Sequence, residues 1–193
     1  MKILKIINKI FSIFLILLVS GDINNAQNIN VPLNAQFEII PKILSLNEVS
    51  KWKNPNEIKC AIIYNGLIKS SVTAKRKIEE LAAEKQPKIQ GKQVTCVLLD
   101  VNKEKDVEKF LQDNKIDLVY LMPLRAYDIG YLEKLFRKLD IISFTSTEAY
   151  LDYGISIGFK LVNERIKIVI NLKSSRDEGA KFSSHLLKLA QIR

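Results

Sequence analysis

The chain has 193 residues, a mass of 22.1 kDa and a formal net charge of +9 at pH 7, and hydrophobic residues make up 47% of it. This length suits one domain, and the apolar fraction is too high for a chain that is disordered throughout. Two Cys and one His exclude a disulfide-rich scaffold and a His-rich metal site. Composition therefore predicts a soluble globular domain and leaves its chemistry open.

Residues 1–26 have the layout of a secretory signal peptide. Three lysines precede or flank the start of the apolar run Ile10–Val19, and the polar segment Ser20–Asp22 follows it. The run is only half as long as the roughly 20 apolar residues that a membrane-spanning helix needs. We predict cleavage after Ala26, export, and one α/β domain over residues 27–193. An uncleaved amino-terminal membrane anchor is the alternative.

The positive charge of the remaining chain is dispersed. The leader holds three Lys and one Asp, so its removal lowers the net charge from +9 to +7. The other lysines are mixed with acidic residues, as in Lys75–Glu80 and Lys103–Asp106, a pattern typical of solvated helix faces. No basic run is interleaved with aromatic residues, as a single-strand nucleic-acid surface requires. We therefore predict no nucleic-acid partner and, at most, weak attraction to an anionic membrane surface.

Apolar runs alternate with amphipathic segments through the middle of the chain. A first helix is predicted over Val31–Val49, with a start or a kink at Pro41, and a loop over 51–57 follows. Four continuous apolar runs are predicted as parallel strands buried on both faces: Cys60–Tyr64, Val94–Leu99, Asp117–Met122 and Ile141–Phe144. Three helices are predicted between these strands: Ser70–Glu84, Lys103–Asn114 and Tyr127–Leu139.

The carboxyl-terminal part changes to a period of two. Apolar residues alternate over 155–161 and 166–172 around the four-residue segment Val162–Arg165, which predicts an antiparallel hairpin. A final helix is predicted to begin at Ser174, which can cap it. Its core-facing residues are predicted to be Phe182, Leu186, Leu187, Leu189 and Ala190. The predicted fold class is α/β, a three-layer, mostly parallel sheet of about six strands flanked by helices, with a carboxyl-terminal hairpin and final helix.

A ligand site in such a fold is expected beyond the carboxyl ends of the strands. The polar residues that follow the predicted strands there are Asn65, Arg125, Ser146 and Glu148. Arg125 could hold an anion and Ser146 could donate a hydrogen bond. Ordinary polar turns explain the same residues, because turns in this position are polar in any such fold.

Two cysteines fall in neighbouring predicted strands. Export permits a disulfide between Cys60 and Cys96, provided that their Cα atoms lie within about 7 Å. Two buried free thiols are the favoured interpretation, because an unpaired Cys commonly packs in a core. The sequence contains no Cys-x-x-Cys motif, so nothing in it indicates redox catalysis.

The sequence shows no catalytic constellation. The single His185 lies on the predicted solvent face of the final helix, without a positioned partner for acid–base work. Neither a Gly-rich phosphate loop nor a nucleophile elbow is present. We predict no catalytic residue, no cofactor and no metal site.

The carboxyl-terminal residues resemble the closing motif of the YfiR-like family. The motif combines an Ile-Asn-Leu triplet that contains Asn171 with Gly179, with the pair Ser183 and Ser184, and with apolar positions that include Leu187. The segment Gly154–Phe159 also resembles the glycine-bearing strand of that family. The resemblance extends, more weakly, from about Val31 to the end of the chain. These motif residues also have structural explanations, since Asn171 can bond around a strand end, Gly179 allows close approach within a helix, and the leucines are core.

The resemblance implies a small periplasmic α/β protein, often a dimer, that is not an enzyme. It implies a regulator that acts by protein contact on an inner-membrane sensor protein, either a diguanylate cyclase or a histidine kinase. The alternative is a single-lobe receptor for a small periplasmic solute, which would use the strand-end crevice.

Overall fold

The computed structural model describes residues 29–48 and 52–193. The predicted leader, its cleavage point and the Val49 end of the predicted first helix lie outside the described residues. None of the helices within the described ranges has the length and hydropathy that crossing a bilayer requires.

The elements follow one another in the predicted alternating order. The helices are α1 (Leu33–Ser45), α2 (Lys69–Lys85), α3 (Val107–Asp113), α4 (Ile129–Lys138), α5 (Leu172–Asp177) and α6 (Ser184–Leu189), with a 3-10 helix over Glu148–Tyr153. The strands are β1 (Glu57–Tyr64), β2 (Lys88–Ile89), β3 (Lys92–Asp100), β4 (Leu118–Leu121), β5 (Ile142–Thr145), β6 (Ile157–Val162), β7 (Arg165–Ile170) and β8 (Gln191–Ile192).

The strands described above form a single sheet in the order β2-β3-β1-β4-β5-β6-β7-β8. The five strands β3, β1, β4, β5 and β6 run parallel to one another, and β6 and β7 form an antiparallel hairpin. Short strands extend the sheet at both edges, β2 antiparallel to β3 and β8 parallel to β7. The predicted mostly parallel α/β fold is confirmed, with two more strands than expected.

The central strands are buried on both faces because their side chains point alternately to two separate cores. In β1, Ile58 and Ile62 belong to the core that includes residues of α1 and α2. Ala61 and Ile63, between and after them, belong to the core that includes residues of α3 and α4. Helices therefore cover both faces of the sheet, as a three-layer fold requires.

Helix α1 is attached to the sheet by a buried polar contact. The Tyr120 hydroxyl donates to Gln36 Oε1 at 2.7 Å, and Gln36 Nε2 donates to the carbonyl of Val31 at 2.8 Å. Both side chains are buried, so this pair satisfies groups that would otherwise be costly in the core. Pro41 lies inside α1, so the helix does not start there.

Strand β2 is an addition to the predicted sheet. It pairs with the start of β3 through the two-residue turn Gln90–Gly91, in which both residues have positive φ, 51° and 81°. Paired positive φ values suit a tight hairpin because they match the twist of the strands. A two-residue strand carries too short a pattern to be seen in the sequence.

The β6–β7 hairpin has a shorter turn than predicted. Only Asn163 and Glu164 form the turn, with φ values of 48° and 61°, so Val162 and Arg165 pair with each other in the strands. Leu161, one of the alternating apolar residues of the predicted hairpin, is exposed near this turn.

The prediction of one continuous final helix is wrong. The chain forms α5 and α6, separated at Gly179, whose φ of +83° ends α5. The N–H groups of Gly179 and Ala180 bond to the carbonyls of Arg176 and Ser175, at 3.0 and 2.8 Å, in the pattern of a Schellman motif. The break lets Phe182 run extended and bridge to Asn47, beside α1.

Two details of that prediction change with the break. The cap of α5 is Asn171, whose Oδ1 accepts the Ser174 N–H at 3.1 Å, rather than Ser174 itself. Leu186 is buried as predicted, but Leu189 is exposed because the chain turns into β8 directly after it.

Candidate functional site

Asn65, at the carboxyl end of β1, links three loops through hydrogen bonds. Its side-chain amide donates to the carbonyl of Leu124 at 2.9 Å, and its Oδ1 accepts from the Leu67 N–H at 3.0 Å and from the Asn102 side chain. Its backbone N–H donates to Ser71 Oγ at 2.9 Å. The buried Asn65 therefore holds the loops after β1, β3 and β4 together instead of facing an open crevice.

Asp100 holds the adjoining turn. Its Oδ1 accepts from the N–H groups of Gly66 and Asn102, at 3.0 and 3.1 Å. Burial favours a raised pKa for Asp100, but these hydrogen bonds and the charge of Lys103 outweigh it, so that pKa lies below its usual value. Gly66 is needed for this contact, since a Cβ there would lie 2.3 Å from Asp100 Oδ2.

Gly66→Ala is therefore expected to destabilise the protein by roughly 1–3 kcal/mol, because Asp100 must move and leave its N–H donors unpaired. Chemical unfolding measures the change. In an Asp100→Ala background the same substitution is expected to cost much less, because the clash is gone. Equal costs in the two backgrounds would contradict this account of the turn.

The remaining predicted crevice residues do not converge with Asn65 on one cavity. Ser146 is buried, and its hydroxyl donates to the carbonyl of Leu121 at 3.0 Å. Glu148 is the first residue of the 3-10 helix. Arg125 is exposed, with φ of 30°, in the loop after β4, whose Leu124 N–H donates to the Tyr150 hydroxyl at 2.7 Å.

Arg125 instead lines an open groove between the start of α1 and the first turns of α2. We call it the α1–α2 groove, and its volume is about 870 Å³. Its lining includes the apolar side chains of Ile29, Leu33 and Leu67 and the cationic side chains of Lys69, Lys77 and Arg125. The groove lies at the edge of the sheet where the parallel strands have their carboxyl ends, as predicted for a ligand site. It is next to the predicted crevice and not inside it. Sequence reasoning missed it because residues far apart in the chain form its walls.

A second, more enclosed cavity of about 400 Å³ lies at the opposite, amino edge of the parallel strands. Its polar lining includes Trp52, Lys53, Asp117, Asp140 and Glu178. Burial lowers the pKa of Lys53, while the neighbouring carboxylates of Asp117 and Asp140 oppose that shift. The indole N–H of Trp52 is buried with no hydrogen-bond partner among the described residues.

Glu178 is a fully buried carboxyl group at the end of α5. The Ser143 N–H and hydroxyl donate to its two oxygens at 2.8 and 2.6 Å, and the Ser156 hydroxyl donates at 2.5 Å. Burial raises the pKa of Glu178 to about 8, although these hydrogen bonds oppose the shift. The group therefore joins α5 to β5 and to the residue before β6, and we expect it to be protonated at pH 7.

Cys60 and Cys96 lie directly opposite each other in the register of β1 and β3. Both are free thiols, next to a small apolar cavity of about 40 Å³ under α1. Donation of a hydrogen bond to Cys96, together with burial, raises the pKa of Cys60. Acceptance of that bond lowers the pKa of Cys96, against the effect of burial. Among the described residues no group of three His, Cys, Asp or Glu side chains forms a metal site.

We expect thiol titration of the denatured protein, without reductant, to find two free thiols per chain. In the native state both should react slowly, because they face an apolar core. A chain that shows no thiols until it is reduced would instead carry the disulfide between Cys60 and Cys96.

The motif residues at the carboxyl end shape the chain locally. Asn171 and Ser183 cap α5 and α6, and the Ser183 Oγ accepts the Leu186 N–H at 3.3 Å. Gly179 has a positive φ and separates the two helices. The prediction that it allows close approach within a single helix is therefore wrong. Ser184 is exposed at the start of α6, and Leu187 packs partly against the core. Their arrangement explains why this motif mixes capping residues with leucines.

Comparison with known families decides the affiliation of the chain. A family model described as YfiR/HmsC-like matches residues 68–191, which is more than half of the sequence. The chain belongs to the YfiR/HmsC-like family. Membership supports, at a general level, a periplasmic regulatory module rather than a catalytic protein. No curated protein matches the chain.

Solved structures share the fold at low sequence identity. A conserved domain protein from Vibrio cholerae has a TM-score of 0.59 and 16% identity, with 83% of this chain and 60% of that chain covered. The ligand-free, open form of a Clostridium difficile substrate-binding protein with adhesive properties, CD0873, has a TM-score of 0.58 and 13% identity, over 84% and 60% of the two chains.

A third similar structure is the ABC domain from Streptococcus pneumonia in complex with L-Trp. Its TM-score is 0.55 at 17% identity, over 84% of this chain and 62% of that chain. The chain thus spans about three fifths of the length of each of these proteins. At such identities the likeness shows the α/β fold alone.

Proposed function

We propose that this protein is an exported regulatory module that acts by contact on a membrane sensor protein, either a diguanylate cyclase or a histidine kinase. The observation that carries the proposal is the YfiR/HmsC-like match over residues 68–191. In this proposal the protein makes and breaks no covalent bonds.

The site geometry supports action through the surface. The polar groups at the carboxyl edge of the sheet, from Asn65, Asp100 and Ser146, are engaged with the protein itself. The adjoining α1–α2 groove is open and has apolar as well as cationic walls. An open groove of this kind is more typical of a protein contact than of an enclosed catalytic site.

Export belongs to the same proposal, with residues 1–26 as a cleaved leader and residues 27–193 as one domain. Intact mass and amino-terminal sequencing of the protein recovered from cells should give a chain that starts at Gln27, in the periplasmic fraction. An uncleaved precursor in the membrane fraction would favour the anchored alternative. A homodimer is also proposed, and sedimentation of the purified protein tests it.

Co-purification tests the contact itself. Affinity-tagged protein, expressed in its own bacterium, should recover one membrane protein with a cyclase or kinase domain from detergent-solubilised membranes. As a control for aggregation, the purified tagged protein is added to membranes only after they have been solubilised in detergent. Recovery of no sensor protein under either condition would contradict the proposal.

A single-lobe receptor for a small solute is the second candidate. The 400 Å³ cavity with its polar lining favours it, as does the shared fold with a substrate-binding protein and with a domain that holds L-Trp. A ligand that binds only the native state raises its stability, by about 2.7 kcal/mol at 100 times Kd. A thermal-shift screen of amino acids and other small solutes without a stabilising hit would contradict this candidate.

A further inference from the structure

We propose that the α1–α2 groove binds an acidic amphipathic segment of the partner protein. This inference rests on the proposed function, since it names the surface and the chemistry of the contact with the sensor. The groove combines an apolar wall, a set of cations and an open shape, and each of these restricts what can occupy it.

The apolar part of the groove includes a side chain that projects into solvent. Leu67 is 84% exposed, the largest exposure among the large hydrophobic side chains of the described residues. Ile29, ahead of α1, Leu33, the first residue of α1, and Ala74, from α2, line the same groove. Leu67 thus shares an open groove with other apolar side chains, and a partner that covered the groove would bury them together.

The charged part of the groove has one sign. Lys69, Lys77 and Arg125 line it, and no acidic residue does so within the described part of the chain. Lys77 has a 3.5 Å ion pair with Glu80, whereas Lys69 and Arg125 form no ion pair with any described residue. Ile68, the residue before α2, provides no side-chain cap, so the positive end of the helix dipole faces the same region. Charge complementarity therefore calls for acidic side chains on the occupant.

The shape separates a protein segment from other anionic partners. The groove has a volume of about 870 Å³ and is open to solvent, so it does not enclose a small solute as a ligand pocket does, and it suits a run of side chains. A flat bilayer surface could reach the projecting Leu67 but not the recessed Ile29 and Ala74. The protein's own leader is disfavoured as occupant, because it carries three lysines and one aspartate.

Charge reversal in the groove tests the proposal. The double variant Lys69→Glu/Arg125→Glu and the single variant Leu67→Ala are expected to lower recovery of the sensor protein at least tenfold. The matched control is Lys105→Glu/Lys167→Glu, which makes the same change in net charge at exposed positions outside the groove. It should recover the sensor as the unaltered protein does. All variants should keep the melting temperature of the unaltered protein within about 3 °C.

A photoreactive amino acid at position 67 identifies the occupant. Crosslinking in cells should map to one segment of the sensor that carries acidic and apolar residues at helical or alternating spacing. Replacing the acidic residues of that segment by Lys should restore recovery with Lys69→Glu/Arg125→Glu. This reciprocal rescue distinguishes a direct charge contact from general damage to the groove.

The contrary outcomes are separable. Undiminished recovery with both groove variants would overturn the groove proposal and leave the proposed function standing. A membrane surface would be the occupant instead if position 67 crosslinks to lipid and the protein sediments with phosphatidylglycerol vesicles. In that case Lys69→Glu/Arg125→Glu should abolish sedimentation and the control variant should not, and the groove proposal would be overturned. Crosslinks to a second copy of the chain would overturn it in favour of a dimer interface. No sensor recovered by the unaltered protein would overturn both proposals.

Discussion

Replacing Glu178 with Gln is expected to remove much of the pH dependence of unfolding between about pH 4.5 and pH 8. The carboxyl is fully buried and its pKa is raised to about 8 from the ordinary 4.5. Over that range the folded protein holds a proton that the unfolded chain has released, so folding binds a proton.

The sign of the effect follows from this proton. Stability from Glu178 is fully present below pH 4.5 and is lost as the pH rises to about 8, where the buried group must ionise. The shift corresponds to a loss on the order of 5 kcal/mol across the range. Gln keeps the shape and one oxygen acceptor for the Ser143 N–H and the Ser156 hydroxyl, but it does not ionise.

Urea unfolding of the two proteins at a series of pH values measures the difference. The unaltered protein should lose stability relative to Glu178→Gln as the pH rises, and the variant should be the more stable of the two at pH 9. Glu164→Gln, at the exposed hairpin turn, controls for the loss of one carboxylate and should keep the original pH dependence. Parallel curves for the unaltered protein and Glu178→Gln would contradict a buried, protonated Glu178.

Arg137→Met is expected to destabilise the protein by about 3 kcal/mol, the lower end of the cost of removing one partner from a buried ion pair. Arg137 pairs with Glu133, whose side chain is only 8% exposed, and Arg137 Nη2 lies 3.3 Å from Ser174 Oγ. Its Nη1 also lies 3.5 Å from Asp177 Oδ2, so that the residue joins α4 to α5. Without Arg137 the Glu133 carboxylate stays buried without its cation, and this is the main cost of breaking such a pair.

A double-mutant cycle separates that cost from lost packing. Glu133→Met in the Arg137→Met background is expected to restore most of the stability, because the buried charge is gone. Thermal and urea unfolding at pH 7 measure all four proteins. A double variant as unstable as Arg137→Met would show that packing of the Arg stem, rather than the ion pair, stabilises this junction.

The sheet could be predicted from sequence where burial is extensive. Strands such as β1 and β4 lie between two layers of helices, so continuous apolar runs mark them without ambiguity. The break at Gly179 could not be predicted, because the apolar positions Phe182 and Leu186 also suit one continuous helix. The bridge between Phe182 and Asn47, far apart in the chain, favours the extended segment instead.

The candidate site was less accessible to sequence reasoning. Arg125 stays a predicted anion-binding residue, and it lines the α1–α2 groove together with Lys69 and Lys77. Asn65 and Ser146 have the polarity of ligand-binding residues, but tertiary contacts with Leu124 and Leu121 occupy their polar atoms. The burial of Glu178 depends on Ser143 and Ser156, which no local pattern connects with it.

Regulation by contact is tested most directly by adding the purified protein to membranes that contain the recovered sensor. The quantity to measure is the rate of cyclic dinucleotide synthesis from GTP, or of autophosphorylation from ATP. We expect this rate to change with added protein and to saturate at a fixed molar ratio to the sensor, while the protein alone converts neither nucleotide. A rate that is unchanged at every ratio, or turnover by the protein on its own, would contradict the account.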